Sequence, residues 1–167
     1  MKSKITKKLA LSSMLIAVAT ILGTFSITIL GAKASPIQHL LNVIAAVTLG
    51  PSYALFTAFG ASLLRNMLGT GSLLAFPGSM VGAFLAGILY KRFRKIEVAV
   101  VGEVIGTGII GALLAYPLAT LVLGKEVAIF AYLIPFSLSS LVGSLVAYLV
   151  LQIKTIRFLL KQESLNL

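Results

Sequence analysis

The chain has no cysteine, no tryptophan and a single histidine in 167 residues, and its four acidic residues are all glutamate. Lack of cysteine excludes disulfides, thiol catalysis and Cys-ligated metals. One histidine, no aspartate, no HExxH and no G-x-S-x-G leave little for catalysis, and no metal site is expected. His39 and Glu103 could form an acid–base pair only if the fold joined residues from opposite halves of a membrane. Charge is also scarce. Charged residues make up 11% of the chain against about a quarter in a soluble domain, and 59% is hydrophobic. With a mean hydropathy of +1.07, a water-soluble enzyme is excluded.

What is present is a set of long apolar runs. No Asp, Glu, Lys or Arg falls between Lys8 and Lys33, Arg65 and Lys91, Glu103 and Lys125, or Glu126 and Lys154. Each gap can hold the roughly 20 apolar residues of a membrane helix, so the fold class is an all-α, polytopic membrane protein. The net charge of +10 would suggest nucleic acid in a soluble chain. Here the basic residues cluster at the ends of apolar runs, which marks cytoplasmic loops, and no nucleic-acid partner is expected. Ala32-Lys33-Ala34 resembles a signal-cleavage site, but the run 9–30 is longer than the roughly 7 to 15 residues of a cleaved core and reads as a span.

Counting spans turns on Pro36 to Arg65, which is one helix broken at Gly50-Pro51, two short spans, or a re-entrant hairpin. With runs at 73–90, 98–122 and 127–153, one broken helix gives five crossings and puts eight basic residues outside against six inside. Two short spans, 36–50 and 51–65, give six crossings with both termini cytoplasmic. Eleven basic residues then lie inside, and only Lys33, Arg65 and Lys125 outside. The positive-inside bias selects the second arrangement. A re-entrant hairpin gives the same count. Short Pro- and Gly-bounded segments at membrane depth are tolerated where they line a cavity, so one is expected beside them.

Polar residues within membrane spans are costly and are functional candidates when they face the bundle interior. Six spans place Gln38, His39, Asn42, Arg65, Asn66, Phe76, Ser79, Tyr116 and Tyr132 toward the outer half. Gln38 and Asn42 are four apart and share a helix face. With His39 they offer donors and acceptors to a small uncharged polar ligand, or else tie neighbouring helices together. Arg65 attracts an anion or snorkels to the surface. The loop carrying Gly69-Thr70-Gly71 is an outer gate or a plain connector, with no phosphate-loop context. Glu103 is the one carboxylate inside a long apolar run. It bonds a ligand, pairs with a basic group, or stays protonated and bonds a neighbouring helix that the surrounding glycines allow to come close.

The segments Gly31-Ala32-Lys33-Ala34, Gln38-His39-Leu40-Leu41-Asn42-Val43, Leu64-Arg65-Asn66-Met67-Leu68-Gly69-Thr70-Gly71 and Leu74-Ala75-Phe76-Pro77-Gly78-Ser79 resemble the ThiW family, over about residues 7 to 155. That family comprises substrate-binding S components of energy-coupling factor (ECF) vitamin transporters. The resemblance implies a six-helix, multi-pass protein of the cell membrane that takes up a thiamine precursor, the thiazole moiety hydroxyethylthiazole. It further implies docking on a membrane coupling subunit, EcfT, driven by two cytoplasmic ATPases, with no cofactor in the chain itself. The missing Walker loop agrees with that division of labour. S components dock through an Ala-x-x-x-Ala face on helix one; here Ala10, Ser13 and Ala17 form a small-residue face with Ser in place of the first Ala. A permanent cation such as thiamine favours aromatic faces and carboxylates. A chain with no Trp and one buried Glu suits a neutral heteroaromatic alcohol better, with Phe76, Tyr116 and Tyr132 available to stack. Thiamine or another small vitamin remains an alternative, as does a self-sufficient channel or structural subunit.

Overall fold

The structure, a computed structural model, describes residues 2–30 and 32–153. The carboxy-terminal basic cluster Lys154, Arg157 and Lys161, assigned above to the inner side, lies outside the described residues, as does Gly31. Six helices make up the described chain: α1 (Lys2–Leu22), α2 (Pro36–Leu49), α3 (Pro51–Met67), α4 (Ala75–Phe93), α5 (Ile96–Val122) and α6 (Leu133–Leu151). A short antiparallel hairpin, β1 (Ile27–Ile29) with β2 (Ala32–Ala34), joins α1 to α2. The all-α class holds. By length and apolarity α1 (from Lys4), α5 and α6 are each able to cross a membrane.

The first expected span, 9–30, is cut short. The helix ends at Leu22, and the apolar residues 27–30 enter the hairpin, with Leu30 at φ 48° in its turn. The last also starts late, because residues 129–132 form turns before Leu133. Gly50 at φ 88° ends α2, and Pro51 opens α3 at its first position. Glycine past one helix end and proline at the start of the next is the favoured arrangement at both ends. The two helices fold back as a hairpin, since Arg65 near the end of α3 bonds Gln38 near the start of α2. The single broken helix is therefore excluded.

On each of the inner helices a polar layer lies between two apolar ones. One cluster unites Ala83 and Ala86 of α4, Ile96 and Ala99 of α5, and Ala147 and Leu151 of α6 with Val43 to Leu49 of α2. The other unites Leu74 before α4, Ala112, Ala115 and Ala119 of α5, and Tyr132 and Phe136 at the start of α6. Ser79, Glu103, Thr107, Ser139 and Ser140, all buried, fall between them in sequence.

Alanine and glycine dominate these contacts because the helices pack closely. A Cβ on Gly106 would stand 2.7 Å from the Gly82 Cα, and one on Gly111 would stand 2.4 Å from the Gly78 Cα. On α4 the small residues recur every four positions, at 78, 82 and 86. On α5 they run 102, 106 and 111, and the step of five coincides with a π-helical segment over Gly106–Gly111. An i→i+5 turn absorbs the extra residue and keeps Gly111 on the seam. A second π segment, Leu118–Val122, follows Pro117, which lacks the N–H that an α-helical ladder needs. Close approach through small residues is how apolar helices associate without a hydrophobic drive between them. Gly106→Leu should therefore force α4 and α5 apart and destabilise the bundle by about 1–3 kcal/mol. Thermal unfolding in detergent checks this, and an unchanged midpoint would remove the seam from the account.

Candidate ligand-binding site

The site grows from the first turn and a half of α2. Gln38 and Asn42 lie one turn apart and both reach Ser79 of α4. Gln38 Nε2 donates to Ser79 Oγ at 2.8 Å and to Ser62 Oγ of α3 at 2.9 Å, and Asn42 Nδ2 donates to Ser79 Oγ at 2.9 Å. His39, between them, puts Nδ1 2.8 Å from Glu103 Oε1. Asn42 Nδ2 stands 2.9 Å from that same oxygen, and Thr107 Oγ1, four residues along α5, stands 3.1 Å from it. Glu103 is wholly buried.

The sequence places His39 and Glu103 in opposite halves of the membrane; the fold joins them. Leu49 and Ile96, at the bases of α2 and α5, share one apolar cluster. From there His39 stands about 15 Å up α2 and Glu103 about 10 Å up α5, at 1.5 Å per residue. The shortness of α2 brings them to nearly one level. Gly82 lets α5 come close, since a Cβ there would meet Thr107 Oγ1 at 2.1 Å and Glu103 Oε2 at 2.8 Å.

Arg65 is the second buried charge. It does not snorkel: it is 3% exposed, its Nη1 bonds Gln38 Oε1, and its Nη2 donates to the Gly23 carbonyl at 2.8 Å. Glycine at 23 makes room for it, because a Cβ there would stand 2.6 Å from Arg65 Nε. A relay of hydrogen bonds thus runs from the guanidinium through Gln38, Ser79 and Asn42 to the Glu103 carboxylate. Above it the hairpin closes over the site. Ala32 and Ala34 point inward and are buried, while Lys33 between them points out. Its Nζ lies 3.3–3.4 Å from the carbonyl oxygens of Gly69, Thr70 and Gly71.

A cavity of about 30 Å³ opens between these elements and reaches solvent. Gln38, His39, Arg65 and Ser79 line it, as expected from the sequence. Asn42 and Glu103 lie behind this lining and bind it together. Asn66 and Thr70 stabilise the loop instead: Asn66 Nδ2 bonds the Ser62 and Ser72 carbonyls, and Thr70 Oγ1 bonds the Arg65 carbonyl. The aromatic residues expected to stack on a ligand lie off the lining. Phe76 pairs with Phe59 at 5.8 Å, Tyr132 pairs with Phe136 at 5.8 Å in the apolar cluster, and Tyr116 is half-buried on α5. Phe136 is the aromatic ring in the wall. Ser35, Thr107 and Ser139, which also line it, went unremarked in the sequence because hydroxyl residues are common in apolar helices. The four-residue spacing of Thr107 from Glu103 is the one signal that could have marked it. Around the cavity Ser35 Oγ, Ser139 Oγ and Arg65 Nε are buried with no hydrogen-bond partner in the protein.

An apolar helical bundle with three helices, among the described residues, long and apolar enough to cross a membrane fits the class of membrane proteins. Sequence comparison gives the particular family. The chain belongs to the ThiW family, described as thiamine-precursor transporter proteins, whose model matches residues 9–156. This is a transporter family and not an enzyme family. No curated protein and no solved structure matches the chain.

Glu103 gathers His39, Asn42 and Thr107 onto one oxygen, so its loss strands buried donors on α2 and on its own helix. Breaking such a buried group from one side costs about 3–5 kcal/mol. Glu103→Leu should lower the unfolding midpoint in detergent far more than Glu97→Leu, whose carboxylate among the described residues accepts from the Tyr148 hydroxyl alone, at an exposed edge. Equal shifts would deny Glu103 its central place.

Proposed function

We propose that the protein is the S component of an ECF transporter and captures hydroxyethylthiazole at the cavity under the hairpin. The observation that supports this most is the set of unpartnered groups there, Ser35 Oγ, Ser139 Oγ and Arg65 Nε. Buried polar groups are nearly always satisfied, and three around one cavity indicate a ligand with acceptors of its own. The charges argue for a neutral one. Lys33 and Arg65 both border the cavity, while the nearby carboxylate is engaged by His39, Asn42 and Thr107. Thiamine's permanent cation would face two like charges, whereas a thiazole alcohol brings a ring nitrogen and a hydroxyl without charge.

The enclosed space matches about two water molecules, and pockets for small ligands enclose about 300 Å³ or more. Entry then requires the hairpin and the 68–72 loop to part, and Lys33 is the strap between them. In this reading all six helices cross the membrane with both termini cytoplasmic. α2 and α3, about 21 and 26 Å long at 1.5 Å per residue, are shielded by their neighbours. The distribution of eleven basic residues on one side and three on the other supports that topology.

Docking on EcfT, with its two ATPases, falls to α1. Ala10, Ser13 and Ala17 are all exposed, and the opposite face packs Ser12, Leu15 and Ala19 against the bundle. The small residues are thus left for a close-packed helix from a partner.

Calorimetry on the isolated protein should show hydroxyethylthiazole bound at least tenfold more tightly than thiamine. Tight thiamine binding with hydroxyethylthiazole inert would reject the substrate. Ala17→Trp should leave that binding near normal yet reduce uptake by the reconstituted transporter more than tenfold. Normal uptake would remove α1 from the docking surface.

A further inference from the structure

His39 is held by one ring nitrogen and leaves the other free. Nδ1 meets Glu103 Oε1 at 2.8 Å, and among the described residues Nε2 has no hydrogen-bond partner although the ring lines the cavity. Which nitrogen carries the proton follows from the neighbours. Asn42 Nδ2 also lies 3.2 Å from the Ser79 carbonyl oxygen, an acceptor only, which fixes that atom as the amide nitrogen. The same N–H₂ group donates to Glu103 Oε1, and with the carboxyl ionised the hydrogen between Oε1 and the ring is carried by Nδ1. Charge then sets Nε2. Apart from His39, Arg65 and Glu103 are the buried charged side chains among the described residues, one of each sign and joined by the relay. A neutral imidazole keeps that balance, and an imidazolium would leave a surplus buried cation.

We infer that His39 is the residue that reads the ligand's hydroxyl: Glu103 locks the ring as the Nδ1–H tautomer, and the bare Nε2 accepts a hydrogen bond from an O–H donor in the cavity. The other cavity groups without partners are donors or hydroxyls that serve an acceptor on the ligand. Glu103 Oε2 is also buried without a partner but lies behind the lining; in the lining itself Nε2 is the acceptor without a donor, so it demands a hydrogen where the others supply one. An alcohol meets that demand; its ether or its deoxy counterpart leaves Nε2 unpaired and desolvated, and sites built around a hydrogen bond reject such analogues strongly. Glu103 is a positioning residue, acting through the ring and not on the ligand. This inference rests on the thiazole reading of the site and adds the specificity determinant to it.

Because the chain has one histidine, ¹⁵N-histidine labelling reports His39 alone. In the ligand-free protein the spectrum should show a protonated Nδ1 and a bare Nε2, with the Nε2 signal moving toward the hydrogen-bonded value when hydroxyethylthiazole is added. A protonated Nε2 in the free protein overturns the inference. Calorimetry supplies the second arm. The native protein should bind hydroxyethylthiazole about tenfold or more tightly than its O-methyl ether. The double variant His39→Phe with Glu103→Gln, which removes the ring together with the carboxylate that holds it and keeps a side-chain oxygen for Asn42, should bind the two alike. Alcohol and ether bound equally by the native protein, or full discrimination kept by the folded double variant, also overturns it while leaving the substrate reading intact. Failure of both thiazoles to bind the native protein rejects the substrate reading and this inference together.

Discussion

The Glu103 carboxylate has no access to solvent and no fixed cation against it, so its stability depends on hydrogen bonds from α2 and from its own helix. His39 Nδ1 and Asn42 Nδ2 stand 2.8 and 2.9 Å from a single oxygen, and Thr107 closes the same oxygen from below. A carboxylate in a low-dielectric interior is tolerable only with such partners. Meeting this demand sets the rotation of α2, the depth of α5 and the place of Ser79 on α4. The polar layer across the bundle is the consequence.

That layer needs helices nearer than ordinary side chains allow. Gly82 lies against Glu103 and Thr107, and Gly106 and Gly111 lie against the backbone of α4. The glycines are therefore part of the site although none lines it by a side chain. The π segment over Gly106–Gly111 belongs to the same arrangement, since it keeps a five-residue step on one seam. Small residues serve a different end on α1. There Ala10, Ser13 and Ala17 face outward, and the helix gives only its other side to the bundle. One residue type thus builds the interior in α4 and α5 and leaves an approachable exterior in α1.

Arg65 connects the site to its cover. From the end of α3 its guanidinium holds Gln38 below and the Gly23 carbonyl above, while Lys33 ties the hairpin to the 69–71 carbonyls. A displacement of the chain at Gly23, ahead of the hairpin, therefore reaches Gln38 through one side chain, and from Gln38 the relay continues to Glu103. The polar layer and the cover are joined by hydrogen bonds through Arg65.

The apolar runs, the scarcity of charge and the Pro–Gly punctuation by themselves determined the helical class, the boundaries of α2 near Gly50-Pro51, and the candidacy of Gln38, His39, Asn42, Arg65, Ser79 and Glu103. These are legible because burying a polar group in an apolar helix is costly wherever the helix sits. Sequence could not assign Ser35, Thr107 and Ser139 to the cavity or take Phe76, Tyr116 and Tyr132 from it, since hydroxyls and aromatic rings are at home in many parts of a bundle. Nor could it level His39 with Glu103, sixty-four positions apart. Only the tertiary structure decided that, because their heights depend on where a 14-residue helix stops, how closely glycines let α4 and α5 approach, and which face α5 turns inward after its π segment. Local pattern records what each residue costs to bury; the packing of six helices decides which buried residues meet.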